Sequence, residues 1–390
     1  MESSEASKSI VVIAGETSGD FHGAHLVQAM KKRDARLFFC GIGAERLKAE
    51  GVRILMESRD LSVVGVTEVL SKMPKVLSAI SAIRRVLDGL RPDLVILIDF
   101  PDFNLHIARL AKKRGVSVLY YISPQIWAWR SGRIKKIRRF VDQMAVILPF
   151  EEGYYKARDV QAAFVGHPLL DYYQEPWAAA VDQPSNTLTI GILPGSRRGE
   201  IEKILPVMLA AVTRIQTAMA GLKVLISIAP GIDPHWLGRL IHPYLSSCRI
   251  ETVPGDIRQV FENSCLILAA SGTVTLETAI FGVPMIIIYR VSAISYQLGR
   301  ALVDVDHIGL VNIIAGERIV PELIQGEANP GRIAREAVDM LKNKKRLGEI
   351  RQKLQAVRDR LGKPGAAEKT ADIAFKMLET KQTEQALKPS

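Results

Sequence analysis

At 390 residues the chain is long enough for two or three domains, taking roughly 150 residues for each, and each could bury a core of its own. Hydrophobic residues make up 48% and charged residues 24%, which excludes a disordered chain. Three scattered cysteines, Cys40, Cys248 and Cys265, exclude a disulfide framework and a CxxC metal site, and the net charge of +11 asks for an anionic partner.

The N-terminal segment reads MESSEASKSIVVIAG. Its apolar run is only SIVVIA, with acidic residues before it, so it is not expected to be a signal peptide. No stretch reaches the ~18 apolar residues of a bilayer span. Any membrane contact is therefore expected at the surface. Downstream, near-continuous apolar runs alternate with stretches of helical period. The runs are SIVVIA, LFFCGIG, DLVILIDF, SVLYYIS and QMAVILP, then TLTIGILP, KVLISIA, LILAA and VPMIIIY. The stretches between them include FHGAHLVQAMKKR and LPVMLAAVTRIQTAM. This alternation predicts α/β architecture, with parallel sheets covered on both faces. The rhythm pauses at 171–187, a Pro-containing linker, and restarts at Leu188. Two doubly wound, Rossmann-like domains facing a cleft follow from that pattern. Their expected bounds are 1–170 and 188–345, with a basic helical tail at 346–390. The tail either folds back onto the N-terminal domain or pairs with a second copy in a homodimer.

Chemistry is expected in the loops that follow the strands. AGETSGD (14–20) places Gly15, Glu16 and Ser18 where a strand turns into a helix. The helix amides could meet phosphate or sugar hydroxyls, or Glu16 and Asp20 could simply cap the helix. The loop is not GxGxxG, so a nicotinamide cofactor is a poor fit. In IDFPDFN (98–104), Asp99 ends a strand and is well placed as a general base, while Asp102 is expected to cap the next helix. In LPGSRRGEI (193–201), Gly195 and Ser196 offer amides to a diphosphate, Arg197 offers paired donors, and Glu200 supports the helix start. In AASGTVTLE (269–277), Ser271, Gly272 and Thr273 open a helix, and Glu277 follows as a candidate for ribose hydroxyls. The hydroxyls there could equally be ordinary caps. Asn312 in HIGLVNIIAG is either a ligand contact or a turn residue, and His167 in FVGHP is either structural or catalytic.

Two segments suggest a lipid or phosphate partner. Residues 123–140, SPQIWAWRSGRIKKIRRF, set Trp127 and Trp129 beside Arg130, Arg133, Lys135, Lys136, Arg138 and Arg139. The plainer alternative is a solvated basic helix with two core tryptophans. Residues 63–87 are apolar with scattered Lys and Arg. Here Val66, Val69, Leu70, Met73, Val76 and Leu77 are expected to contact lipid. Nucleic acid is not expected as a partner, because aromatics are only 6% and no stacking groove or nucleic-acid motif is legible.

Taken in order, AGETSGD, IDFPDFN, SPQIWAWR, LPFE, FVGHP, LPGSR, SGTVTLE and LVNIIAG resemble the lipid-A-disaccharide synthases of Gram-negative envelope biogenesis, over about residues 8 to 320. The resemblance implies a GT-B fold and a metal-independent, inverting transfer without a cofactor. It implies UDP-2,3-diacylglucosamine as donor and 2,3-diacylglucosamine 1-phosphate as acceptor. The product is a β-1,6-linked disaccharide phosphate, formed at the cytoplasmic face of the inner membrane against anionic phospholipid. By the same resemblance Asp99 is the base on the acceptor 6-hydroxyl, and Arg197, Glu277 and Asn312 lie at the nucleotide site. Trp127 and Arg130 join the acceptor loop. The family's usual IDAPDFN is IDFPDFN here, so Phe100 is expected to reshape the acceptor pocket. A UDP-sugar epimerase or hydrolase of similar fold is the rival reading.

Overall fold

The computed structural model describes residues 8–61, 66–173, 188–292, 296 and 305–386, without the side chains of 17, 66–72 and 381–386. Positions 174–187 of the expected linker lie outside these residues. The described chain divides into two compact units, 1–172 with 361–390, and 173–360.

In the first unit the elements follow one another as β1 (Ser9–Ala14), α1 (Thr17–Arg33), β2 (Phe38–Gly43), α2 (Glu45–Ala49), β3 (Arg53–Glu57), α3 (Val66–Gly89), β4 (Leu94–Ile98), α4 (Pro101–Lys112), β5 (Ser117–Tyr121), α5 (Ile134–Phe140), β6 (Gln143–Val146), α6 (Glu151–Lys156), β7 (Ala162–Phe164) and α7 (Leu169–Tyr172). The strands pair in parallel in the order β3-β2-β1-β4-β5-β6-β7. Every residue of β1 and β4 is buried, which explains their unbroken apolar runs: both faces are covered.

The second unit runs β8 (Thr189–Leu193), α8 (Arg198–Ala218), β9 (Lys223–Ile228), α9 (Pro234–Ile241), β10 (Arg249–Pro254), α10 (Arg258–Asn263), β11 (Leu266–Ala270), α11 (Val274–Ile280), β12 (Met285–Tyr289), α12 (Leu310–Ala315), β13 (Glu322–Ile324), α13 (Pro330–Lys342) and α14 (Lys344–Arg360). Its parallel order is β10-β9-β8-β11-β12-β13. The last helix, α15 (Ala366–Ala386), belongs to the first unit. Its small face, Ala367, Ala371 and Ala374, shares a core with Leu26 and Met30 of α1. The basic tail is thus split: α14 packs with the second unit, and the alanine face of α15 packs with α1.

The two strand orders share one consequence. Chain direction along the sheet reverses between β1 and β4, and again between β8 and β11. At such a switch point the loops leaving the carboxyl ends of neighbouring strands diverge and leave a crevice for a ligand. The loops leaving those four strands are AGETSGD, IDFPDFN, LPGSR and SGTVTLE, the four motifs with candidate chemistry.

Candidate active site

In the second unit a pocket of about 350 Å³ lies at the ends of β8 and β11. Gly195, Ser196, Ser271, Gly272, Thr273 and Glu277 are among the residues that line it. Gly195 has φ +108, and a Cβ there would meet Glu200 Oε2 at 2.3 Å, so the loop can fold this tightly only with glycine. The Glu200 carboxyl lies over the loop. Burial raises its pKa, and the Arg197 charge and the Ser196 amide pull it back. Arg197 itself stands exposed at the N-cap of α8.

Glu277 also has a pKa raised by burial, opposed by a hydrogen bond that the Tyr173 hydroxyl donates to its Oε2 at 2.7 Å. Tyr173 stands edge-on to Phe281, with ring centres 4.9 Å apart. Sequence reasoning passed over Tyr173 as linker. It also passed over a further wall of the pocket, 227–230 at the end of β9 and just beyond it, and Gly255 and Ile257 after β10. The Pro-Gly pairs at 230–231 and 254–255 were the available signal, since such pairs mark the turns that end strands.

Asn312 requires a correction. Its side chain is fully buried. Nδ2 donates to Val320 O at 3.0 Å and to Glu322 Oε1 at 2.7 Å, and Oδ1 accepts from the amides of Ile319 and Val320 at 2.9 and 3.1 Å. All four of its hydrogen-bonding positions are filled, so none is left for a ligand. Asn312 instead pins the turn before β13. Glu322 then accepts from the amides of Ile308 and Gly309, both at 3.0 Å. Ser271 Oγ donates to Ile308 O at 3.2 Å, which ties this network to the pocket wall.

In the first unit Asp99 follows β4 with φ +48, and Phe100 follows it with φ +47. Two successive non-glycine residues in the left-handed region are strained, and the surroundings hold them in place. Asn104 Nδ2 and the Tyr120 hydroxyl both donate to the Asp99 carbonyl, at 2.7 and 2.5 Å. Burial raises the Asp99 carboxyl pKa from 3.8 to about 6, the Glu16 charge adds to the rise, and the Phe100 amide opposes it. Glu16 and Ser18 are exposed at the head of α1. Glu16 occupies the N-cap position without a capping side-chain bond. Asp20 does not cap α1 either; it caps α2, accepting from the amides of Ala44 and Arg46 at 2.5 and 3.0 Å. A Cβ on Gly15 would meet the Phe100 ring at 2.1 Å, so this phenylalanine lies directly against the AGETSGD loop.

Asp102 lies in the first turn of α4, but its carboxylate accepts from Arg130 Nη1 at 3.1 Å and Arg133 Nη2 at 2.6 Å rather than from backbone amides. The two guanidinium groups lie 4.7 and 5.4 Å from the Trp129 ring centre, and Trp129 is 40% exposed. Trp127 is half-buried and donates its Nε1–H to Glu151 Oε1 at 3.0 Å. Neither tryptophan is a plain core residue. His167 is buried, and its Nδ1 accepts from the Leu169 amide at 3.2 Å. Burial, with His22 nearby, lowers its pKa to about 3. A neutral imidazole so engaged fits the structural reading.

Of the expected lipid contacts, Met73 and Leu77 are 41% and 59% exposed. Val76 instead packs partly buried against the core. It lies on the inward stripe of α3 with the buried Ala79 and Ile83, so it is not free to meet lipid. The side chains of Val66, Val69 and Leu70 lie outside the described residues. Among the described residues no helix is long and apolar enough to cross a membrane.

Two solved structures share the fold. A putative UDP-N-acetylglucosamine 2-epimerase from Listeria monocytogenes aligns at 14% identity and TM-score 0.62, covering 97% of this chain and 98% of its own. The glycotransferase of kitacinnamycin aligns at 13% identity and TM-score 0.63, covering 96% and 100%. At such identities the likeness is one of fold alone. Two parallel, doubly wound units with loops gathered at both switch points make up the GT-B fold. The model of the lipid-A-disaccharide synthetase family matches residues 10–377. The lipid-A-disaccharide synthase of Syntrophus aciditrophicus is 46% identical over 382 residues, 95% of this chain and 98% of that protein. The chain belongs to the lipid-A-disaccharide synthetase family.

Proposed function

We propose that the chain transfers 2,3-diacylglucosamine from UDP-2,3-diacylglucosamine to the 6-hydroxyl of 2,3-diacylglucosamine 1-phosphate, inverting the anomeric centre and releasing UDP. The observation that carries this reading is Asp99, a half-buried carboxyl at a switch-point strand end with its pKa lifted to about 6. Inversion is a single displacement and needs one base. Asp99 takes the hydroxyl proton as the acceptor oxygen bonds to the anomeric carbon, and the bond to UDP breaks with its electrons going to the diphosphate. A base with a pKa near the working pH combines basicity with the correct protonation state. In the second unit the 195–197 and 271–273 loops hold the diphosphate. Arg197 and the amides there meet the charge that grows on it. Glu277 takes the ribose hydroxyls.

The experiment is disaccharide formation in detergent micelles from the UDP-sugar and the labelled acceptor, comparing the wild type with Asp99→Asn. The variant is expected to lose ~100-fold or more in kcat while its UDP affinity holds. A fully active variant removes Asp99 as the base. No product from the folded wild type overturns the whole reading.

Both substrates carry acyl chains, so the enzyme works at a lipid surface. We read Met73 and Leu77 as a shallow insertion point at the cytoplasmic face of the inner membrane, beside anionic phospholipid. Burial lowers the His106 pKa, and the charges of Arg109, Arg84 and Lys136, from three helices, lower it further, which describes a cationic face. Met73→Ser with Leu77→Ser is expected to release the protein from anionic vesicles without lowering its melting temperature.

A further inference from the structure

The LPFE motif has no part in the mechanism above, yet it supplies a carboxylate that is almost wholly inside the protein. Glu151 is 1% exposed. Its Oε1 accepts from Ser123 Oγ at 2.5 Å and from Trp127 Nε1 at 3.0 Å, and its Oε2 accepts from the Leu148 amide at 3.0 Å. The Tyr155 phenol, one turn along α6, also lies within reach of its charge. None of the described ion pairs includes Glu151. A buried carboxylate without a cation is costly, and a neutral residue of similar shape would fill the space at less cost.

What Glu151 grips is the loop joining β5 to α5. Two more side chains of α6 hold the same loop: the Tyr155 hydroxyl donates to Pro124 O at 3.3 Å and the Tyr154 hydroxyl to Ile126 O at 3.5 Å. The loop is bounded by two left-handed residues, Ile122 at φ +60 and Arg130 at φ +55, so it turns sharply at both ends. Each end is tied to the neighbourhood of Asp99. At the start, the Tyr121 carbonyl accepts from the Asp99 amide at 3.4 Å, and the Tyr120 hydroxyl reaches the Asp99 carbonyl. At the finish, Arg130 bonds Asp102, three residues beyond Asp99. The middle carries Trp127, whose indole edge is fixed by Glu151 and whose ring meets Phe150 edge-on at 4.9 Å.

We propose that Glu151 is a positioning residue: it locks the Trp127 loop as a preformed platform beside Asp99 on which the acceptor's glucosamine ring rests. Aromatic faces suit the apolar face of a sugar, and a ring already held in place loses little freedom on binding. The inference rests on the transferase reading and on Asp99 as its base. It adds that the ionised Glu151, acting through Trp127, sets acceptor binding and leaves donor binding alone.

The proposal has a signature in pH. Burial raises the Glu151 pKa to about 6, opposed by its donors. Asp99 is raised to about 6 as well, by burial and by Glu16. Both groups work ionised, so both lose function as pH falls through that value. Two required ionisations make log(kcat/KM) for the acceptor fall with a slope approaching two below pH ~6, where one gives a slope of one.

The test is steady-state kinetics on the full-length protein with Glu151→Gln and with Trp127→Phe. Gln removes the charge at nearly constant volume; Phe keeps an aromatic face, smaller than the indole, and deletes the Nε1 donor. Both variants are expected to raise the acceptor KM by about tenfold or more, with the UDP-sugar KM unchanged. The acid limb of Glu151→Gln is expected to flatten to a slope of one. Should Glu151→Gln fail to fold, Trp127→Phe still decides, because its side chain is half exposed. A folded variant with wild-type acceptor KM and an unchanged acid limb overturns the proposal. An equal rise in both KM values does so too, because it marks general loosening. An inactive wild type would be the failure of the transferase reading instead.

Discussion

Replacing Asp99 with asparagine is expected to stabilise the protein while it slows the reaction ~100-fold or more, and the gain should depend on pH in a fixed direction. The carboxyl rises from 3.8 to about 6 in the folded state, chiefly through burial and next through the Glu16 charge. The sign is the reverse of the usual carboxylate case. Between pH ~4 and ~6 the unfolded chain has lost this proton and the folded chain keeps it, so stability falls as pH rises through that window. Above pH ~6 the loss is complete. At about 1.4 kcal/mol per pH unit it amounts to about 3 kcal/mol. Asparagine is never charged and escapes it. For a unit of this size 1 kcal/mol moves the melting temperature by about 2–4 °C. Asp99→Asn should therefore melt roughly 6–12 °C above the wild type at pH 8, with little difference at pH 4. The assay is scanning calorimetry of the ligand-free protein at both pH values, following the transition that the substitution moves. An equal melting temperature at pH 8, or a gain of the same size at pH 4, would show that this carboxyl is not held out of solvent beside another negative charge. The argument for Asp99 as a tuned base would then fall.

Tyr173→Phe takes away the hydroxyl that donates to Glu277 at 2.7 Å, so UDP should bind about fivefold more weakly by calorimetry; unchanged binding would remove Glu277 from the ribose site. Asn312→Ala strands the Val320 amide and leaves the Ile319 amide and Glu322 Oε1 with one partner each, and should cost about 2–3 kcal/mol in stability. If the variant instead melts like the wild type and merely loses UDP, Asn312 touches ligand after all. Gly15→Ala puts a methyl 2.1 Å from the Phe100 ring; it should cripple acceptor turnover, and adding Phe100→Ala should restore most of it. Independent, additive effects of the two changes would contradict the contact.

Most of the fold was legible because interior strands announce themselves. Every apolar run read from the sequence became a strand with neighbours on both sides. The strands that escaped, RILME, AAF, RIETVP and ELI, are the four sheet edges. β10 shows why: only Val253 of its six residues is buried, so its sequence carries exposed polar residues where an interior strand would carry Val or Ile. β7 and β13 have three residues each, too few for any period to show.

The site was legible to a different depth. The positions of the loops could be read, because small residues after an apolar run mark the crevice end of a strand. The partners of individual side chains could not, because they come from far along the chain: Asp102 meets Arg133 across 31 positions and Tyr173 meets Glu277 across 104. Those partners decide which polar residue has capacity left for a substrate. Asn312 uses every donor and acceptor it has inside the fold, so its chemistry is spent on the turn it holds. Glu151 is buried and its two oxygens are shared among a hydroxyl, an indole and an amide, so it can act on a substrate only through the loop it grips. Asp99 is the opposite case. Its carbonyl is clamped by Asn104 and Tyr120, which fixes where the residue points. Its carboxyl is offset by one amide and set against a like charge. A carboxyl so fixed, and so short of partners, gains most from a proton delivered by an incoming hydroxyl. For that reason we propose Asp99 as the base rather than Asp102, whose carboxylate two arginines already engage.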